Sequence, residues 1–113
     1  MYAWCMSISA IAAISETGMD AAVRQLSAAS LNIANAAAAS DAGVSRAEAA
    51  FSESAGGGVR ATTRVSAPRP GEVAASLVAD AVNLMGAVYA LRMNTVAIRV
   101  AHEVAGSELS LSA

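Results

Sequence analysis

The sequence predicts a mainly α protein, with two long terminal helices packed as an antiparallel coiled coil and a short irregular or β-containing middle. Three observations carry that prediction. Residues 7–39 hold no proline and a single glycine, Gly18. Residues 72–109 repeat apolar side chains in steps of three and four. Between these segments, residues 40–71 gather both prolines, Pro68 and Pro70, together with the run Gly56-Gly57-Gly58.

Taken in order, residues 1–6 read as an N-terminal extension, because Met6 begins a plausible helix on its own. The stretch from Met1 to Ser15 carries no charge. It lacks the cationic start of a secretory signal, and it falls short of the ~20 residues that span a bilayer. Neither a cleaved signal nor a membrane anchor is expected. In the first helix, Ile8, Ile11, Ser15, Met19, Ala22, Leu26, Ala29, Ile33 and Ala36 form one stripe, and Asp20, Arg24 and Gln25 lie off it. The middle opens with Ser40, Asp41 and Gly43. Val59 to Val65 is rich in Val and Thr and predicts one strand. A lone strand needs a partner. Residues 47–51 either add a helical turn or pair with that strand as a hairpin, and the residues alone leave both open.

The second helix follows Pro70, with Glu72 near its amino end to complement the helix dipole. Its expected seam runs through Leu77, Ala81, Leu84, Val88, Leu91, Thr95, Ile98, His102, Ala105 and Leu109. Val78, Val82, Met85, Tyr89 and Val96 are expected to widen one flank of that seam. Residues 110–113 form a tail, and the whole chain makes one structural unit.

Composition narrows the function. Of the 113 residues 30 are Ala, while aromatics make up 4%. Burial stabilises by roughly 25 cal/mol per Å², and Ala offers little area, so a solitary globule is expected to be marginal without a partner chain. Nine acids stand against seven Arg and no Lys, with the Arg scattered, which gives nucleic-acid binding no support. Cys5 has no second cysteine to join. His102 lacks companion ligands, so no metal is expected. The glycine triplet is followed by neither Lys nor a helix start and reads as a turn and not a phosphate cradle. No nucleophile motif holds the Ser, His and acid residues together. No catalysis and no cofactor are expected.

Particular residues carry a narrower resemblance. Met6-Ser7-Ile8-Ser9-Ala10-Ile11, then Gly18-Met19-Asp20-Ala21-Ala22, and above all Ser30-Leu31-Asn32-Ile33-Ala34-Asn35-Ala36 resemble the amino-terminal helix of bacterial flagellar rod and hook proteins. Val82-Asn83-Leu84-Met85, followed by Asn94, Ile98, Ala101 and Glu103, is similar to the carboxyl-terminal helix of that family. After Asn35 the chain departs from the family's Ala-Asn-Thr and Gly-aromatic turn, running through Ala36 to Ala39 instead. The short middle fits a rod protein better than a hook protein.

The resemblance implies a structural subunit of the flagellar basal-body rod, serving motility. Such a subunit is exported unfolded through the type III apparatus without a cleaved signal, and it polymerises in the periplasm with other rod subunits. It does not span the membrane. The expected assembly residues are Leu26, Asn32, Ile33 and Asn35 in the first helix, with Leu77, Leu84, Leu91, Asn94 and Ile98 in the second. The Asn32/Asn35 pair is expected to form a hydrogen-bond ladder between subunits. The alternative is a secreted Ala-rich helical hairpin that pairs with one fixed partner.

Overall fold

The computed structural model describes residues 7–38 and 43–112. The expected extension at residues 1–6, with Cys5 and the Met6 start, lies outside the described residues, as do Ser40 and Asp41. Two helices enclose one hairpin in the order α1 (Ile8–Ala36), β1 (Arg46–Glu53), β2 (Val59–Ser66) and α2 (Val73–Ser112). The protein is mainly helical, and α2 is the longest element by far.

Ser7 starts α1 by accepting the Ala10 N–H on its side-chain oxygen at 3.2 Å. Ala38 N–H donates to Asn35 O at 3.0 Å where the helix stops. In α2 the Glu72 carbonyl accepts the first helical bond, from Ser76 N–H at 2.9 Å. At about 1.5 Å per residue, 40 helical residues run roughly 60 Å. That length sets the long axis of a molecule measuring 67 × 25 × 16 Å.

The middle resolves the open choice as a hairpin. β1 pairs antiparallel with β2, from Arg46 opposite Ser66 to Glu53 opposite Val59. Its turn spans residues 54–58, closed by Ser54 N–H to Gly58 O at 3.1 Å and Gly57 N–H to Ser54 O at 2.9 Å. Gly57 and Gly58 take φ of +89° and +90°, which explains two members of the glycine run.

A two-stranded ribbon is marginal by itself. Here α1 pins it at both ends. Antiparallel pairing alternates, so the N–H and C=O groups of Ala47 and Val59 point outward from the ribbon. Asn32 takes up the Ala47 pair, with Ala47 N–H to Oδ1 at 2.8 Å and Nδ2–H to Ala47 O at 2.7 Å. Thr17 Oγ1 accepts Val59 N–H at 3.1 Å and donates to Ile14 O at 2.7 Å. Asn32 and Thr17 stand fifteen residues apart on α1, about 22 Å. That nearly matches the roughly 20 Å that strand β1 covers from Ala47 to Glu53. The ribbon therefore crosses α1 from one pin to the other.

The core is built from small residues. Buried positions are Ser15, Ala21, Ala22, Ala28, Ala29 and Asn32 on α1, Ala61 on β2, and Asp80, Ala87 and Ala101 on α2. Among the described residues no large side chain is fully buried. Alanine faces let the helices come close, and they bury little apolar area as they do so.

The expected seam of α2 needs correction. The deepest row is Asp80, Ala87, Asn94 and Ala101, at intervals of seven, and Leu84, Leu91 and Ile98 form a half-buried row beside it. Ala81, Thr95 and His102 are exposed, and so is Leu77. The helix is rotated because small side chains permit a closer approach than the row carrying Val88 and Leu77. Val78, Val82, Met85, Tyr89 and Val96 do not flank the contact with α1; they are exposed on the far side of α2.

Candidate assembly interface

A polar knot joins three elements, α1, β1 and α2. Asp80, 2% exposed, projects from an apolar stretch of α2. Arg46, at the start of β1, holds both of its carboxylate oxygens, Nη1 to Oδ2 and Nη2 to Oδ1, each at 2.8 Å. The two parallel bonds match the guanidinium fork to the carboxylate. Asn32 Nδ2 adds a third donor to Asp80 Oδ1 at 3.1 Å. Asn32 thus bonds the edge of β1 and the carboxylate of α2 at once. Every buried side-chain nitrogen and oxygen among the described residues has a hydrogen-bond partner.

A second contact fixes the other part of the helix pair. Asn94 donates from Nδ2 to Ala90 O at 2.9 Å, and its amide lies against Gly18. A Cβ at Gly18 would stand 2.6 Å from Asn94 Oδ1, so the absent side chain makes room for the amide. Between the two contacts, Asn32 with Asp80 and Gly18 with Asn94, residue numbers fall along α1 as they rise along α2.

The expected assembly residues divide among three environments. Asn32 is buried and spends its amide inside its own chain, so its hydrogen-bond ladder runs to β1 and Asp80 instead of a neighbour. Leu26, Ile33, Leu84, Leu91, Asn94 and Ile98 are half-buried. Asn35 is exposed, as is Leu77 at 40%. Asp80 and Arg46 were not anticipated. The available signal was Asp80 at seven-residue spacing from Ala87, Asn94 and Ala101, which marks it as an inward position; nothing near Arg46 marked it as the partner.

Many of the bulky apolar residues remain outward. Val78, Val82, Met85, Tyr89, Met93, Val96 and Val100 are all exposed on α2, while Ile11, Val23 and Leu31 are exposed on α1. By length and composition α2 is apolar enough to cross a membrane, and 11% of its most apolar stretch is buried within the chain. A groove of about 280 Å³ lies between α1, β1 and α2, lined by Gln25, Asn32, Arg46, Glu48 and Asn83 among others. Among the described residues no group of three or more His, Cys, Asp or Glu side chains is arranged to hold a metal ion.

Compared with protein-family models, curated proteins and solved structures, the chain has no match.

Proposed function

We propose that this chain is a structural subunit of the bacterial flagellar basal-body rod, its terminal helices packed as an antiparallel coiled coil that polymerises with neighbouring subunits. The observation that carries this reading is incomplete burial. A compact monomer of 11.2 kDa exposes about 5,700 Å². This chain exposes 7819 Å². The excess, on the order of 2,000 Å², is more than twice the about 800 Å² that each partner buries in a standard interface, room for contacts with more than one neighbour, and it includes the bulky apolar face of α2. A subunit whose helices are covered only by its neighbours has this surface.

The residue resemblance in α1 and α2 supplies the assembly, and the shape supplies the physics. In this reading the polar knot of Asn32, Arg46 and Asp80 holds the hairpin and both helices in one arrangement, and the outer faces meet other rod subunits in the periplasm. Export through the type III apparatus precedes folding. The marginal alanine core suits a chain that travels unfolded and gains stability on incorporation.

The test replaces the native gene with Val82→Asp/Val96→Asp, two exposed positions whose change leaves the contact with α1 alone. Purified basal bodies should then lack the protein, and cells should lose swimming while the protein level in the cell is kept. Wild-type swimming with the doubly substituted protein present in basal bodies would refute the proposal.

A further inference from the structure

The outward face of α2 is arranged symmetrically about one residue. Counted from Tyr89, Met85 and Met93 lie four residues to either side, Val82 and Val96 seven, and Val78 and Val100 eleven. Residue type mirrors as well as spacing, giving Val, Val, Met, Tyr, Met, Val, Val. All seven side chains are between 42% and 67% exposed.

From this we infer that α2 pairs with α2 of a second copy of the chain, in antiparallel register, with a two-fold axis through Tyr89. A two-fold contact uses the same patch on both partners, so residue i meets residue j and j meets i. The mirror order satisfies that requirement along the whole stripe: Val78 meets Val100, Val82 meets Val96, Met85 meets Met93, and Tyr89 meets its own copy. Arg92 and Arg99 lie together on one flank of the stripe, and the antiparallel register sets them level with Gly86 and Ala79 of the other chain and not with their own copies.

The stripe advances in steps of four, three, four, four, three and four, so Val78, Tyr89 and Val100 repeat at eleven residues. Such a period is close to that of a straight helix, and two such helices pack with little left-handed supercoil. From Val78 to Val100 the contact runs about 33 Å. The seven side chains expose on the order of 700 Å² per chain, close to the about 800 Å² per partner of a standard interface. A bilayer would have no use for the mirror order, and it would have to take in Arg92 and Arg99 alongside the stripe.

The pair occupies the same face of α2 that the rod reading gives to neighbouring subunits, so the two compete for one surface: a two-fold pair is closed, whereas subunits of one growing rod share a polarity. Purified full-length protein, carrying Cys5→Ser, is first sedimented over a hundredfold range of concentration. The expected result is a limit at twice the chain mass. Tyr89→Arg, which sets two cations on the axis, should remain at the chain mass with an unchanged helical circular-dichroism spectrum, and Tyr89→Phe should still pair.

Orientation is then read by oxidation of single cysteines. Val78→Cys mixed with Val100→Cys should give the cross-linked pair, and Val78→Cys alone should give none. The proposal is overturned by a wild-type chain that stays monomeric, by masses that grow without limit, by cross-linking of Val78→Cys to itself, or by Tyr89→Arg pairing as well as wild type. It is equally overturned if the chain is monomeric in buffer and floats with phosphatidylcholine vesicles. A wild-type chain that stays monomeric yet is found in basal bodies refutes this proposal alone, and a wild-type chain that pairs in solution yet is absent from basal bodies refutes the rod reading alone.

Discussion

At Asp80 a carboxylate sits almost wholly out of water, and its two oxygens are satisfied by Arg46 and Asn32. A buried pair of this kind adds little net stability over an apolar pair of similar volume, because desolvating both charges offsets their attraction. Losing one partner is different, since the other charge is left stranded. Asp80→Ala is expected to cost about 3 kcal/mol, the lower end of the usual range because the Arg46 side chain keeps 20% of its surface in solvent. Urea unfolding of Asp80→Ala, Arg46→Ala and the double variant, at one protein concentration, measures this. The double variant should be less destabilised than the sum of the singles. A strictly additive result would mean that the two residues act independently.

The elements depend on glycines whose missing side chains are used in different ways. Gly58 closes the hairpin with φ of +90°, and a Cβ there would collide with the Oγ1 of Thr17, the pin for Val59. Gly58→Ala therefore combines left-handed backbone strain with the loss of a pin, and should cost about 2 kcal/mol. Amide exchange should quicken first at β1 and β2, with α2 less affected; hairpin exchange no faster than wild type would show that Thr17 is not needed to hold it. Along α2 the two faces do separate work. Small residues at seven-residue spacing meet α1, and bulky ones at eleven-residue repeat meet solvent. A helix with apolar residues on opposite faces has almost no amphipathic contrast, which is why its orientation is not announced by where the polar residues fall.

For the whole molecule, the dominant fact is a core of alanines under a surface of valines, methionines and leucines. Each buried Ala contributes far less than a buried Leu, so the folded chain by itself is held weakly against its conformational entropy. Association with anything that recognises only the folded state raises apparent stability by mass action. The midpoint of thermal unfolding is expected to climb by several degrees when protein concentration rises a hundredfold, read by circular dichroism. Tyr89→Arg should remove that dependence while leaving the dilute midpoint in place. A midpoint that ignores concentration in the wild-type chain would show that the chain stabilises itself.

Two long helices around a short middle were legible in the residues, because proline-free, alanine-rich stretches with three- and four-residue apolar steps permit little else, and the glycine and proline run marks where they break. The sequence by itself also exposed a shortage of bulky core material. Which face of α2 turns inward was beyond its reach. Bulk argued for the row of Leu77 and Val88, whereas close approach to α1 favoured Asp80, Ala87, Asn94 and Ala101, and only packing in three dimensions weighs contact distance against side-chain size. The same holds for Asn32, whose partners Ala47 and Asp80 are 15 and 48 residues away. Hydrogen bonds at that separation leave no periodic trace in a sequence, so the tertiary structure alone decided that this amide binds its own chain.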